Sequence, residues 1–179
     1  MLFRSIRVHP IITRGGDAVS AVPADVRLET FVRGSTIRAI QDADAKVDRC
    51  LRAGAMAMGA TVEIVTLPGY MPLACDPNLS QITLENCSAV VGAEHVGVSG
   101  HATGSTDLGD LGYVMPVVHP RTAGAKGNGH GNDYWTVDQQ LAAVNPAKAM
   151  AMTAIDLLYD GAREARRVKA ESEIGRAHV

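Results

Sequence analysis

The sequence predicts an α/β chain in two parts, and three observations carry that reading. Two segments with period-two alternation lead into a long amphipathic helix pattern and then an apolar segment, the order strand–strand–helix–strand. That order is the rear half of a βαββαβ layer. The run Pro68-Gly69-Tyr70-Met71-Pro72 breaks the pattern. Beyond it come helices, one short apolar strand and glycine-rich loops. The 179 residues suit one domain or two small ones. The break divides them into residues 1–70 and 72–172.

Residues 3–13 read as a strand, with Ile6 and Val8 alternating with Arg7 and His9. Arg14-Gly15-Gly16-Asp17 is a turn. Residues 24–33 hold the cleanest alternation in the chain. Val26, Leu28, Thr30 and Val32 take one face; Arg27, Glu29, Phe31 and Arg33 take the other. Antiparallel pairing of these two strands is expected.

A helix follows over residues 36–58, with Ser35 or Thr36 able to cap it and Gly59 able to end it. Ile37, Ile40, Val47, Leu51, Ala55 and Met58 form its apolar stripe, opposite Arg38, Asp42, Lys46 and Arg49. Residues 60–67 are expected to be a strand. In the second part, residues 78–91 read as a helix with Pro77 near the first turn and Asp76 as its cap. Residues 113–118 are apolar throughout and read as a buried parallel-type strand. The last helix is expected to start at Asn145-Pro146. Met150, Ala151, Ala154, Ile155 and Leu158 should pack inward, with Gly161 ending the apolar part and residues 163–169 forming a solvated basic tail.

Hydrophobic residues make up 46% of the chain and aromatics 4%, so the core must be aliphatic. A net charge of −2 argues against nucleic acid or an anionic membrane as partner. No apolar run reaches the roughly 18 residues of a membrane span, and the first residues lack the pattern of a signal peptide. Cys50, Cys75 and Cys87 are odd in number and lack metal-type spacing, which suits free thiols in a reducing cytoplasm. Residues 174–179, Ile-Gly-Arg-Ala-His-Val, read as translated sequencing adapter, so residues 173–179, including His178, are set apart as a tail and Met1 is read as a possible internal methionine.

The most informative stretch is Gly127-Asn128-Gly129-His130-Gly131-Asn132-Asp133-Tyr134, read with Gly104-Ser105-Thr106-Asp107 upstream. Glycines let backbone approach an ion closely, and a helix after the loop fixes its far end, so His130 is a candidate metal ligand. Four motifs occur in order: GGDAVSAVPADVRLETFVRG, AGAMAMGATVEI, GHATGSTDLGDL and GHGNDYWTVD. Together they resemble the aminoacylase-type metallopeptidases and amidohydrolases, a family including carboxypeptidase G-like enzymes, N-acyl-amino-acid amidohydrolases and aminobenzoyl-glutamate hydrolase subunits. The match covers nearly all of residues 5–160.

The resemblance implies that residues 1–70 are the rear part of a ferredoxin-like lid and dimerisation domain. Residues 72–172 would be the carboxyl-terminal part of a zinc-peptidase-like α/β catalytic domain. It implies two divalent metal ions, zinc or alternatively manganese or cobalt. A metal-bridged water would lose its proton to a glutamate and attack the amide of an N-acylated amino acid, aminobenzoyl amino acid or small peptide. It also implies a homodimer through the lid. His130 matches the last metal ligand. Arg33 matches a lid arginine that contacts the substrate carboxylate, for which a guanidinium fork is suited, although an outward surface arginine is the plain alternative. Gly104, Ser105, Thr106 and Asp107 match a loop beside the substrate; a simple turn is the plain reading.

The departures are specific. Ser20 stands where the family's lid loop carries an asparagine, and a serine lacks the amide donors. His101 and His119 lie near the matched loops but match no ligand; His9 and His95 read as surface residues. The family's His-x-Asp pair, bridging aspartate and Glu-Glu pair match nothing here. One histidine cannot hold two zinc ions, so the chain by itself is expected to bind them unstably and to lack amidase activity. The chain is then expected to be a fragment of a larger hydrolase. A second reading is a non-enzymatic partner-binding or dimerisation module, for which half a lid would leave strand edges to pair. A third is a serine hydrolase using Ser105, set back by the absence of a Gly-x-Ser-x-Gly elbow.

Overall fold

The structure is a computed structural model that describes residues 6–100 and 104–176. Residues 3–5 of the first expected strand, His101 and the tail residues 177–179 lie outside that set. The chain separates into two compact units, Met1–Pro72 with His101–Thr106, and Leu73–Gly100 with Asp107–Val179. Helices and two small antiparallel sheets make the composition α/β. No helix among the described residues is long and apolar enough to cross a membrane.

In the first unit β1 (Arg7–Arg14) pairs antiparallel with β2 (Arg27–Arg33), from Arg7 opposite Arg33 to Arg14 opposite Arg27. A bulge between Ile12 and Arg14 shifts the register by one residue. One face of the ladder carries Arg7, His9, Ile11, Glu29, Phe31 and Arg33; Val8, Ile12, Leu28, Thr30 and Val32 occupy the other. At the turn end, Arg14 Nη1 donates to Asp25 Oδ2 at 3.0 Å and Arg27 Nε donates to the same oxygen at 3.1 Å.

The helix α1 (Ile37–Ala57) follows, and the Ala39 N–H donates to the Thr36 hydroxyl at 3.2 Å, so Thr36 rather than Ser35 is the cap. Its less exposed stripe runs Ile37, Ile40, Ala43, Val47, Leu51 and Ala55. Met58 falls past the last turn and is exposed. Gly34 makes the close approach between strand and helix possible: a Cβ there would lie 2.7 Å from Ile6 Cδ1 and 3.1 Å from Ile40 Cγ1.

Residues 60–67 do not form the expected strand. Val62, Val65 and Leu67 are exposed, and among the described residues the sheet of this unit has two strands only. An apolar, β-branched segment becomes a strand when a neighbour takes its backbone hydrogen bonds, and no described strand does so here.

The second unit packs α2 (Pro77–Val91) against α4 (Asn145–Arg176). Asp76 caps α2 by accepting from the Leu79 N–H at 2.9 Å, and Pro77 occupies the first turn, where its missing donor costs nothing. Asp76 also donates its own N–H to the Val117 carbonyl at 2.8 Å. That bond replaces the strand expected over residues 113–118. The N–H groups of Val114 and Met115 instead donate to the Leu111 carbonyl, extending the turn of α3 (Leu108–Gly112). A short apolar run does not by itself distinguish strand from helix, and here hydrogen-bonded turns after α3 take its first half.

The last α-helix starts at Asn145, as expected, but its cap and its buried face differ from expectation. A π-type turn at Gln140–Val144 runs directly into α4, and Asp138, not Asn145, caps the assembly by accepting from the Leu141 N–H at 3.0 Å. Pro146 lacks the N–H that an α-helical bond to residue 142 requires, and the Asn145 N–H reaches back five residues to Gln140. The buried face is Ala149 and Thr153, not the expected stripe: Met150 is 63% exposed and Leu158 69%. The phase is set by α2, whose Asn86 amide donates to Thr153 Oγ1 at 3.2 Å and to Asp156 Oδ2 at 2.7 Å.

Near Gly161 the backbone turns left-handed at Asp160, Gly161 and Ala162, with φ of 50, 65 and 61°. The expected solvated tail is therefore a second helical arm. Its Val168 is buried and lines a groove with Leu79, Met115, Leu157 and Ala165.

Two outcomes are expected. Asp76→Ala should lower the unfolding free energy of the chain by about 1–2 kcal/mol in urea denaturation, while Asp76→Asn retains most of it. The Asp25 carboxyl is held below the ordinary aspartate value, chiefly by the Arg27 hydrogen bond and further by the Arg27 and Arg14 charges. A depressed native value means the Asp25 cluster contributes fully above the unfolded-state value and is lost as pH falls through the native one. Carbon-13 NMR titration should give Asp25 a midpoint below that of ordinary aspartates, and Arg27→Gln should raise it.

Candidate functional site

His130 sits at the tip of a loop closed by two short strands. β3 (Ala125–Lys126) pairs antiparallel with β4 (Trp135–Thr136), Ala125 opposite Thr136 and Lys126 opposite Trp135. Gly127 turns the chain out of β3 at a φ of 97°, and a Cβ there would run into the Asp133 carbonyl, so the corner requires glycine. The Gly124 carbonyl accepts from both the Val137 and Asp138 N–H groups, at 2.9 and 3.1 Å. Asp138 then caps the π-type turn that leads into α4. The loop is tied at its far end to the helix, as the glycine-rich pattern before a helix implies.

Inside the loop Asn128 and Asp133 form a clasp. The Asn128 N–H donates to Asp133 Oδ1 at 3.2 Å and its side-chain amide to Oδ2 at 3.1 Å. The Gly131 N–H donates to the Asn128 carbonyl at 2.7 Å. Between them His130 is exposed and left-handed, with φ of 66°. Histidine visits that region more readily than most residues, at a cost of about 1 kcal/mol. The clasp holds the imidazole outward, where it can donate or accept at a ligand.

The metal pair that the resemblance implies can be tested against these side chains. Both oxygens of Asp133, the acid nearest in the loop, accept from Asn128. Among the described residues no group of three or more His, Cys, Asp or Glu side chains comes together in a way that holds a metal ion. His130 therefore offers one imidazole donor, and the described residues do not by themselves build a two-metal centre.

Arg33 ends β2, is half-buried, and holds its guanidinium 5.1 Å from the centroid of the Phe31 ring. A cation over an aromatic face is attracted by the ring quadrupole and loses rotamer freedom. Gly104 and Ser105 are exposed, Thr106 is half-buried, and Asp107 stands at the start of α3 with its carbonyl accepting from the Asp110 N–H at 3.0 Å. Arg33, Ser105 and Thr106 belong to the first unit; Asp107 and His130 belong to the second. Ser20 lies exposed in the connection between β1 and β2. His9 is exposed on β1 opposite Phe31, His119 is exposed, and His95 lies 3.6 Å from the Glu94 carboxylate at the surface. His101 falls outside the described residues.

Two features went unread in the sequence. The Asn128–Asp133 clasp has a signal, an asparagine and an aspartate bracketing a glycine-rich turn. The support that Phe31 gives Arg33 has one as well, since residues two apart on a strand share a face.

No family model matches the chain. The chain is similar to the Xaa-Arg dipeptidase of Homo sapiens, 30% identical over 181 residues that take in 93% of the chain and 41% of that protein. It is likewise 30% identical over 93% of its length to the Xaa-Arg dipeptidase of Mus musculus, of which it covers 42%. The chain thus spans about two-fifths of the length of these curated relatives. The likeness to these two dipeptidases runs along almost the whole chain.

Proposed function

We propose that the chain forms part of a metal-dependent amidohydrolase or peptidase that cleaves the amide bond of small peptides, N-acyl amino acids or aminobenzoyl amino acids. The observation that carries this reading is the similarity to two Xaa-Arg dipeptidases over 93% of the chain. In this reading His130 gives one imidazole to a divalent metal, zinc in the first instance and manganese or cobalt otherwise. The other donors and the general base come from residues outside the described set. Arg33 takes the substrate carboxylate, and Gly104, Ser105, Thr106 and Asp107 offer backbone N–H groups and hydroxyls beside it. Residues 1–70 act as a lid and dimerisation element, and residues 72–172 as catalytic-domain structure. The three free thiols suit a reducing cytoplasm.

A second reading, a partner-binding or dimerisation module, draws on the hairpin. Ile11, Ile12 and Phe31 are exposed on a two-stranded ladder, and exposed apolar strands invite pairing with another chain.

The test is a chimera of the human dipeptidase in which this chain replaces the region it resembles. The folded chimera is expected to hydrolyse dipeptides. His130→Ala should lower its kcat/KM by about a hundredfold or more. Retention of activity within about twofold would remove His130 from the site, and a folded but inactive chimera would favour the module. The chain alone, supplied with zinc, is expected to leave dipeptides and N-acetyl amino acids intact.

A further inference from the structure

Where α4 breaks, three successive residues turn left-handed: Asp160, Gly161 and Ala162, with φ of 50, 65 and 61°. Only Gly161 takes that region without a steric penalty. At Asp160 and Ala162 the β-carbon crowds the following carbonyl, and left-handed backbone normally occurs at isolated residues rather than in a run. The segments on either side, Ile155-Asp156-Leu157-Leu158 and Arg163-Glu164-Ala165-Arg166, are helical. Backbone preference at residues 160 and 162 is therefore for the right-handed helix, and contacts elsewhere must hold the bend.

The arm beyond the break, residues 163–176, makes those contacts. In an unbroken helix Leu157 and Ser172 would stand roughly 22 Å apart along the axis. Here both line one groove, together with Leu79 of α2 and with Met115. The arm is thus turned back, and its Val168 is only 3% exposed. Arg167 pairs with Glu164 at 2.9 Å and with Glu171 at 3.0 Å, so the arm carries helix-supporting ion pairs of its own. Arg166 Nη1 donates to the Gly161 carbonyl and Arg163 lies 3.5 Å from Asp160, which fastens the bend. Burial of Val168 in the groove offsets the strain at Asp160 and Ala162.

A strained connection closed by an apolar contact has a second way to keep that contact. If α4 straightens, the arm leaves its own groove, and the identical groove of another copy can receive it. The side-chain contacts are the same, and the backbone strain is shed. We propose that residues 163–176 are an exchangeable arm, and that the groove of Leu79, Met115 and Leu157 docks the arm of a second copy of this chain when α4 is straight. Arm and groove both lie in the second unit, so this association is separate from any pairing of the β1–β2 hairpin and from the reading of His130.

The experiment follows the full chain by sedimentation equilibrium over a wide range of concentration, with Gly161→Ala and Ala162→Gly beside it. A Cβ at Gly161 would meet only Arg166 Nη2, at 3.8 Å, so Gly161→Ala acts through the backbone and not through a clash. It should lower the Kd of the dimer about tenfold or more, and Ala162→Gly should raise it by a similar factor. In an equilibrated mixture of carbon-13-labelled and unlabelled copies, isotope-filtered NOEs should join the Val168 methyls of one copy to Leu79 and Met115 of the other. Val168→Asp should abolish the dimer. Native helix content by circular dichroism establishes that each variant is folded; Ala162→Gly carries the test if Gly161→Ala is not. Monomers throughout, in the parent chain and in whichever hinge variant folds, overturn the exchange. A dimer whose Kd ignores the hinge variants, survives Val168→Asp or shows no Val168 contact between copies also overturns it and places the association on another face.

Discussion

The side-chain amide of Asn86 joins the two helices on which the second unit is built. Its two hydrogens go to different acceptors on α4, the Thr153 hydroxyl and the Asp156 carboxylate. Thr153 passes its own hydrogen to the Ala149 carbonyl at 2.9 Å, so the donor–acceptor chain closes on backbone. Asn86 and Thr153 are each 7% exposed, and a buried amide left without these acceptors would cost about 1–3 kcal/mol. This fixes the rotation of α4 about its axis. The rotation in turn decides which residues of α4 are covered and the direction in which the chain enters α4 from Asp138 and the His130 loop.

Such a polar tie matters more because the aliphatic core is thin. Among the described residues the buried hydrophobic side chains are Ala43, Val117, Ala149 and Val168, all small or medium in size. Larger groups, among them Ile155, Leu158 and Tyr159 on α4 and Ile11, Ile12 and Phe31 on the hairpin, stand in solvent. The order of the fold therefore leans on directional bonds: caps at Thr36, Asp76 and Asp138, the Asn128–Asp133 clasp, and the Asp25 cluster.

What could be read in the sequence follows the same division. The β1–β2 hairpin, α1 with its Thr36 cap and α2 with Asp76 and Pro77 were legible because each is specified by local chemistry: alternation, a capping side chain, a proline in the first turn. Residues 60–67 and 113–118 were not, because apolar character says that a segment prefers cover without saying what will supply it. The α4 stripe was misphased for a related reason. Counting large apolar residues selected Met150, Ile155 and Leu158, while the face that found a partner carries Ala149, Thr153 and Asp156. At the site, the loop around His130 was visible through its glycines, and Arg33 was singled out by the family resemblance. The side chains that brace them were not, since bracing depends on loop closure and strand register.

The pairing of Trp135 with Lys126 has an experimental consequence. Trp135 is the one tryptophan in the chain, and it stands in the strand that closes the His130 loop, largely in solvent. Its emission under selective excitation reports on that hairpin. The molecule thus carries a built-in optical label at its candidate ligand loop, one that records opening or closing of the loop without any added dye.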